Sequence, residues 1–134
     1  MRIGAAIMLV VVVMFACGGE AASAGGETST PVSTTPPLTG EELFDTFFVE
    51  TGKTCSGCHR LDDEDGAFAP TVKGVSARAA HQVEGLSDVE YLEQSIVDPE
   101  AFQAGDWPQG MPTNYSEVLS EDDIERLIEF LLTQ

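Results

Sequence analysis

Chemistry in this 134-residue chain is concentrated at Cys55-Ser56-Gly57-Cys58-His59. Two thiols separated by two residues, with an imidazole directly after the second, form the attachment pattern of a c-type haem. The thiols bond covalently to the vinyl groups and the histidine ligates the iron. Two intervening residues let both sulfurs reach one porphyrin edge, and the adjacent His turns its ring under the metal. Three rival chemistries use similar residues. A structural zinc site needs four Cys or His ligands, usually as paired knuckles. Here His81 is the only other histidine, no second cysteine pair exists, and Cys17 stands far away across a linker. A thioredoxin-like dithiol precedes a helix in a βαβ unit, and no strand-rich stretch is present to build that sheet. A bare Cys55–Cys58 disulfide closes a tight, strained loop. One covalently attached haem c is the cofactor this pattern favours.

With His59 on one side of the iron, the second axial position must be filled or left open. Met1, Met8 and Met14 fall in the N-terminal apolar run, which leaves Met111. It stands in Trp107-Pro108-Gln109-Gly110-Met111-Pro112, a stretch too rich in Pro and Gly for helix or strand. A loop 52 residues after His59 suits a strap across the opposite haem face, with Pro112 fixing the backbone beside the sulfur. A gap-filling core Met is the bland alternative. His81 and an open site are the other candidates for the position; a single His between a loop and a helix is more often a surface residue, so none of the chemistry is assigned to it. Pro70 lies 11 residues after His59. Its carbonyl can accept the His59 ring N–H and orient the ligand, unless it is an ordinary loop proline.

Helices must position these groups. Thr39-Gly40-Glu41-Glu42 reads as a capping box, opening a helix with an apolar stripe of Leu43, Phe44, Phe47 and Phe48. Ser87-Asp88-Val89-Glu90 is a second box, before Tyr91, Leu92, Ile96 and Val97; Asp98-Pro99 ends that helix. Ser120 caps a third helix with Ile124, Leu127, Ile128, Leu131 and Leu132, the clearest helical period in the chain. The expected fold class is all-α, three main helices joined by long loops. Long loops in so small a domain need something large to pack on, and a haem supplies it.

The N-terminus reads as an address. Arg2 precedes an apolar run from Ile3 to Ala16, followed by Cys17-Gly18-Gly19, the pattern of an export signal over residues 1–16. From Ile3 to Cys17 the helix length is about 22 Å, short of the ~30 Å hydrocarbon core, although a retained membrane helix is the rival. Met14-Phe15-Ala16-Cys17 resembles the lipobox of bacterial lipoproteins, in which the cysteine is acylated and becomes the mature N-terminus. Cys17 is therefore the candidate lipidation site; a soluble exported protein with an incidental cysteine is the alternative. Residues 17–38 form a Thr/Ser/Pro/Gly-rich linker with a root-mean-square span of about 25 Å. The folded domain is 39–134. Export agrees with haem attachment, which takes place outside the cytoplasm.

Six basic against 23 acidic residues give a net charge of −17. That balance excludes nucleic-acid binding and a polybasic membrane-surface patch, and three cysteines exclude a multi-disulfide scaffold. Residues 39–134 hold 5 basic and 21 acidic residues, a net of −16. Such a surface steers partners with basic docking faces, more weakly as salt rises. It also repels an anionic bilayer, which makes a lipid anchor useful.

Taken together, 39–134 resembles class I cytochrome c, the small monohaem electron carriers of bacteria. Gly40-x-x-Leu43-Phe44 is similar to the family's first helix, Ala69-Pro70 to the loop supporting the proximal histidine, Tyr91-Leu92 through Ile96 to Pro99 to the helix before the methionine loop, and Ser120 to Leu132 to the final helix, which in the family crosses the first near its glycine. The resemblance implies a cytochrome c fold around one haem, with Cys55 and Cys58 as thioethers and His59 and Met111 as axial ligands. It implies a monomeric domain, not an enzyme, that passes single electrons between respiratory or photosynthetic partners from the outer face of the cytoplasmic membrane or the periplasm. A fixed subunit of a respiratory complex and a peroxidase-type enzyme with an open distal site are the alternatives. Two features depart from the family. Phe44 to Cys55 is longer than usual, through an extended first helix or an extra loop, and Asp62-Asp63-Glu64-Asp65 is an acidic insertion-like run.

Overall fold

The structure is a computed structural model that describes residues 36–134. The export signal over 1–16, Cys17 and most of the linker over 17–38 lie outside the described residues. Among those described, five helices occur: α1 (Gly40–Asp45), α2 (Val75–Ala79), α3 (Asp88–Val97), α4 (Tyr115–Val118) and α5 (Glu121–Leu131). The one extended pairing is an isolated bridge between Phe48 and Lys53. The fold is all-α, and its three principal helices start at the three capping boxes. In each box the cap hydroxyl accepts the backbone N–H three residues on, and the carboxylate there returns to the cap N–H: Thr39 with Glu42, Ser87 with Glu90, Ser120 with Asp123. Each box satisfies donors that the first turn leaves unpaired, which fixes where the helix begins.

α1 is shorter than its apolar stripe suggests. Thr46 Oγ1 donates to the Glu42 carbonyl at 2.7 Å, and Thr46 itself is extended. The helix therefore stops before the β-branched and aromatic run Thr46–Val49, whose side chains fit a pleated chain better than a helix. Phe47, expected on the buried stripe, is 60% exposed, whereas Phe48 turns inward through the bridge to Lys53. The long stretch from Phe44 to Cys55 is thus an extra loop after a short helix, closed by a tight turn at Gly52, whose φ of 64° is left-handed and suits glycine.

α1 packs mainly on α5, and α3 lies against α2, α4 and α5. Leu43 and Phe44 meet Leu127 and Leu131, all buried, and the Phe44 and Phe130 rings are 5.5 Å apart. Each such side chain contributes about 1.5–3 kcal/mol by leaving water. Close approach at the crossing depends on Gly40: a Cβ there would press on the Arg126 carbonyl oxygen and lie 2.6 Å from the Phe130 Cβ.

Candidate haem site

Cys55-Ser56-Gly57-Cys58-His59 folds as a single tight turn. Cys58 N and His59 N both donate to the Cys55 carbonyl, at 3.1 and 2.9 Å, and the Ser56 N–H donates to the Phe44 carbonyl at 3.1 Å. Thr54 caps the turn, its Oγ1 accepting from Gly57 N at 2.8 Å. Gly57 leaves room for that hydroxyl, since a Cβ there would stand 2.8 Å from it. The turn is attached to α1 at one end and presents Cys55, Cys58 and His59 to one cleft.

Behind His59 runs the loop to Pro70. His59 Nδ1 and the Pro70 carbonyl are 2.9 Å apart. A carbonyl only accepts, so Nδ1 carries the proton and Nε2 keeps its lone pair for a metal. Burial lowers the His59 pKa, and the bond to Pro70 opposes that shift without cancelling it. The imidazole is accordingly neutral, the form that ligates.

The loop that delivers Pro70 is held by its own acidic run. Asp62 pairs with Arg60, Asp63 with Lys73 at 2.9 Å, and Asp65 accepts the Thr71 N–H at 2.8 Å. Thr71 Oγ1 donates to the Arg60 and Asp62 carbonyls, and Val72 N to the Arg60 carbonyl. Exposed pairs are worth about 0–1 kcal/mol each; here several converge on one loop and define its shape. Gly66 lies beneath the turn, where a Cβ would press on the Cys58 carbonyl oxygen.

The cleft itself encloses about 900 Å³, part of it open to solvent, and its walls include Phe68, Tyr91, Phe102, Trp107, Met111 and Tyr115. A second lobe of about 780 Å³ is lined by Phe44, Val72, Leu92, Ile96 and Leu131, and shares Cys55, His59, Pro70, Tyr91, Ser95 and Met111 with the first. A large, mostly apolar cleft with a few convergent polar groups is the usual form of a cofactor site. The wall is apolar apart from a few polar groups, and its donors are two free thiols, one neutral imidazole and one thioether. Those groups fit haem c: two thioether attachments and a nitrogen and sulfur able to ligate iron. Burial pushes the Cys55 thiol up to about 11, so it is protonated at neutral pH.

Met111, half-buried against the core, thus lines the same cleft as His59, Cys55, Cys58 and Pro70. His81 is exposed and lines neither lobe. Cys17 falls outside the described residues. Several wall residues escaped the sequence reading. Phe68, Phe102 and Trp107 come from loops without any period, and Trp107 folds back to donate its indole N–H to Ala104 O at 3.1 Å. Their one available signal was a concentration of aromatics in Pro/Gly-rich segments. Thr54 was findable as a hydroxyl directly ahead of a tight turn.

No solved structure matches the chain. A family model described as Cytochrome c matches residues 38–134, a span that takes in all five helices, the turn at Cys55 to His59 and Met111. The chain therefore belongs to the cytochrome c family, domains that bind haem c covalently and transfer electrons through it.

Proposed function

We propose that this cytochrome c is a membrane-tethered carrier of single electrons, with His59 and Met111 as the axial ligands of one haem. The observation that carries the reading is the convergence of Cys55, Cys58, His59 and Met111 on a single apolar cleft, with the Pro70 carbonyl fixing the His59 tautomer. Haem c, when bound, supplies an iron that gains and loses one electron with no substrate bond broken. The chain does the rest. Cys55 and Cys58, which line the cleft as free thiols, would hold the haem through two thioethers. The Pro70 carbonyl keeps Nε2 of His59 available, and Met111 would take the second position and keep small ligands off it. The apolar wall excludes water and favours a relatively positive potential, as thioether ligation does.

The −16 charge of 39–134 supports partners with basic faces. Acylation at Cys17 with a flexible linker over 17–38 would hold the domain at the outer face of the cytoplasmic membrane, at an effective concentration of about millimolar near membrane partners. The test is a visible spectrum of the haem-loaded protein. The far-red band of methionine-ligated ferric haem is expected, with no carbon monoxide binding after reduction; Met111→Ala loses the band and binds carbon monoxide. A wild-type protein that binds carbon monoxide sinks the carrier reading in favour of an open-site enzyme. Fatty-acid labelling that persists in Cys17→Ala sinks the anchor.

A further inference from the structure

Two large apolar side chains are more exposed than any other among the described residues: Phe47 is 60% and Val49 80% exposed. They flank Phe48, which is buried at 8% and packs edge-on to Tyr115 with ring centroids 5.9 Å apart. Successive side chains of an extended segment point to opposite sides, so the inward Phe48 holds its two neighbours outward. The segment is a built hairpin. Phe48 N donates to Lys53 O at 3.1 Å, Gly52 N to Phe48 O at 2.8 Å, and Asn114 Nδ2 to Glu50 O at 3.4 Å, which ties the turn to the methionine loop. Scattered exposed apolar residues need no explanation, but an aromatic and a valine held out together on a rigid turn have their ordering cost met in advance, as the anchors of interfaces do.

Their place decides their use. Lys53, which closes the hairpin, and Thr54 line the mouth of the cleft beside Cys55. A protein that approaches the cleft at this edge meets Phe47 and Val49. We propose that the 46–53 hairpin is the apolar anchor of the redox docking surface, seated in a recess on a partner whose rim is basic. The charge complementarity is that of the whole domain, −16, with Asp45 and Glu50 exposed on and beside the hairpin and Lys53 its one exposed cation. Long-range charge brings the partner in, and the short apolar contact sets how long it stays. The inference rests on the carrier reading above.

The test uses the full-length, haem-loaded protein and washed membranes of its own source cell, respiring in air. Ferrous protein is mixed with membranes in a stopped-flow cell and its oxidation followed in the haem bands. Phe47→Ser with Val49→Ser is expected to lower the second-order rate constant at least about fivefold. Added salt should slow wild type and variant in parallel, since no charge has changed. Reduction of the ferric protein by hexaammineruthenium(II), a small cation without apolar surface, should be unaltered. Wild-type rates in the variant overturn the proposal. So does equal slowing toward membranes and hexaammineruthenium, which places the damage at the haem; Val49→Ser alone, at a position with no packing to lose, repeats the test without that risk. A wild type that sediments as a dimer while the variant is monomeric also overturns it, because the occupant is then a second copy. If the wild type passes no electrons to the membranes, the carrier reading falls and takes this proposal with it, an outcome separate from a loss confined to the variants.

Discussion

Gly40→Ala sets two effects of opposite sign against each other at the crossing of α1 and α5. Alanine is the better helix former by about 0.8–1.0 kcal/mol. Against that, its methyl would press on the Arg126 carbonyl oxygen and lie 2.6 Å from the Phe130 Cβ, where carbon atoms prefer about 3.5–4.0 Å. The obstacle is largely backbone, so no side-chain rotation relieves it, and the helices must part by about 1 Å. A gap of that size forfeits about a quarter to a half of the contact energy across it. Leu43, Phe44, Leu127 and Leu131 are buried along this seam. At about 1.5–3 kcal/mol each, losing a quarter of their contribution costs about 1.5–3 kcal/mol. Subtracting the propensity gain from that range leaves a net destabilisation of about 0.5–2 kcal/mol, the upper half of it within the usual 1–3 kcal/mol for an overpacked site. Guanidinium unfolding of the haem-loaded protein, followed by far-UV circular dichroism, reads this directly. With a slope of about 4 kcal/mol/M, the midpoint falls by about 0.1–0.5 M at unchanged slope. A variant as stable as wild type would mean that propensity prevails and that the close approach at Gly40 does not constrain the fold.

Two further outcomes follow from the caps and the loop clamp. Ser120→Ala removes the hydroxyl that accepts Asp123 N and meets its carboxylate; it should cost about 1 kcal/mol, seen as a lower unfolding midpoint, while Ser120→Thr costs less. Asp62→Asn probes the Pro70 loop through pH. The Arg60 guanidinium holds the Asp62 carboxyl down at about 2, from an ordinary value of 3.8. A depressed folded pKa contributes stability above the unfolded value and loses it as pH falls through the folded one. The wild-type advantage over Asp62→Asn should therefore be complete above about pH 5, shrink steadily below it, and vanish only near about pH 1. An advantage that grows on acidification refutes the assignment. Denaturation midpoints of both proteins measured across that window decide it.

Legibility followed how local each determinant was. The capping boxes are three-residue rules, and the α5 period needs only its own residues, so both were plain from the sequence. α1 was overextended because Phe47 and Phe48 continue an apolar stripe, while the chain turns extended at Thr46 and Phe48 pairs with Lys53, a partner outside the helix. α2 and α4, of 5 and 4 residues, are too short to carry a period, and neither has a side-chain cap to announce it. The site divides in the same way. Cys55, Cys58 and His59 are adjacent because one porphyrin edge requires it. The walls include Phe68, more than thirty residues before Phe102 and Trp107, and all three come to one cleft only through the tertiary fold.

The acidic run shows what a charge sum conceals. Counted as residues, Asp62, Asp63 and Asp65 belong to an exposed negative surface; placed in space, they organise the loop behind His59 by engaging Arg60, Lys73 and Thr71. The cations are committed as well. Arg126 pairs with Asp123, and Arg78 donates to the Lys73 and Thr71 carbonyls. A pair is nearly neutral from beyond a Debye length of about 8–10 Å, so its formation leaves the distant field of a −16 domain intact while removing a local patch of opposite sign. Among the described basic residues, Lys53 is the one exposed at the mouth of the first lobe without an ion pair. Internal pairing thus serves the fold and, for the proposed basic partner, the approach as well: the loop behind His59 is tied down by the same charges that would otherwise dilute an acidic surface with basic patches.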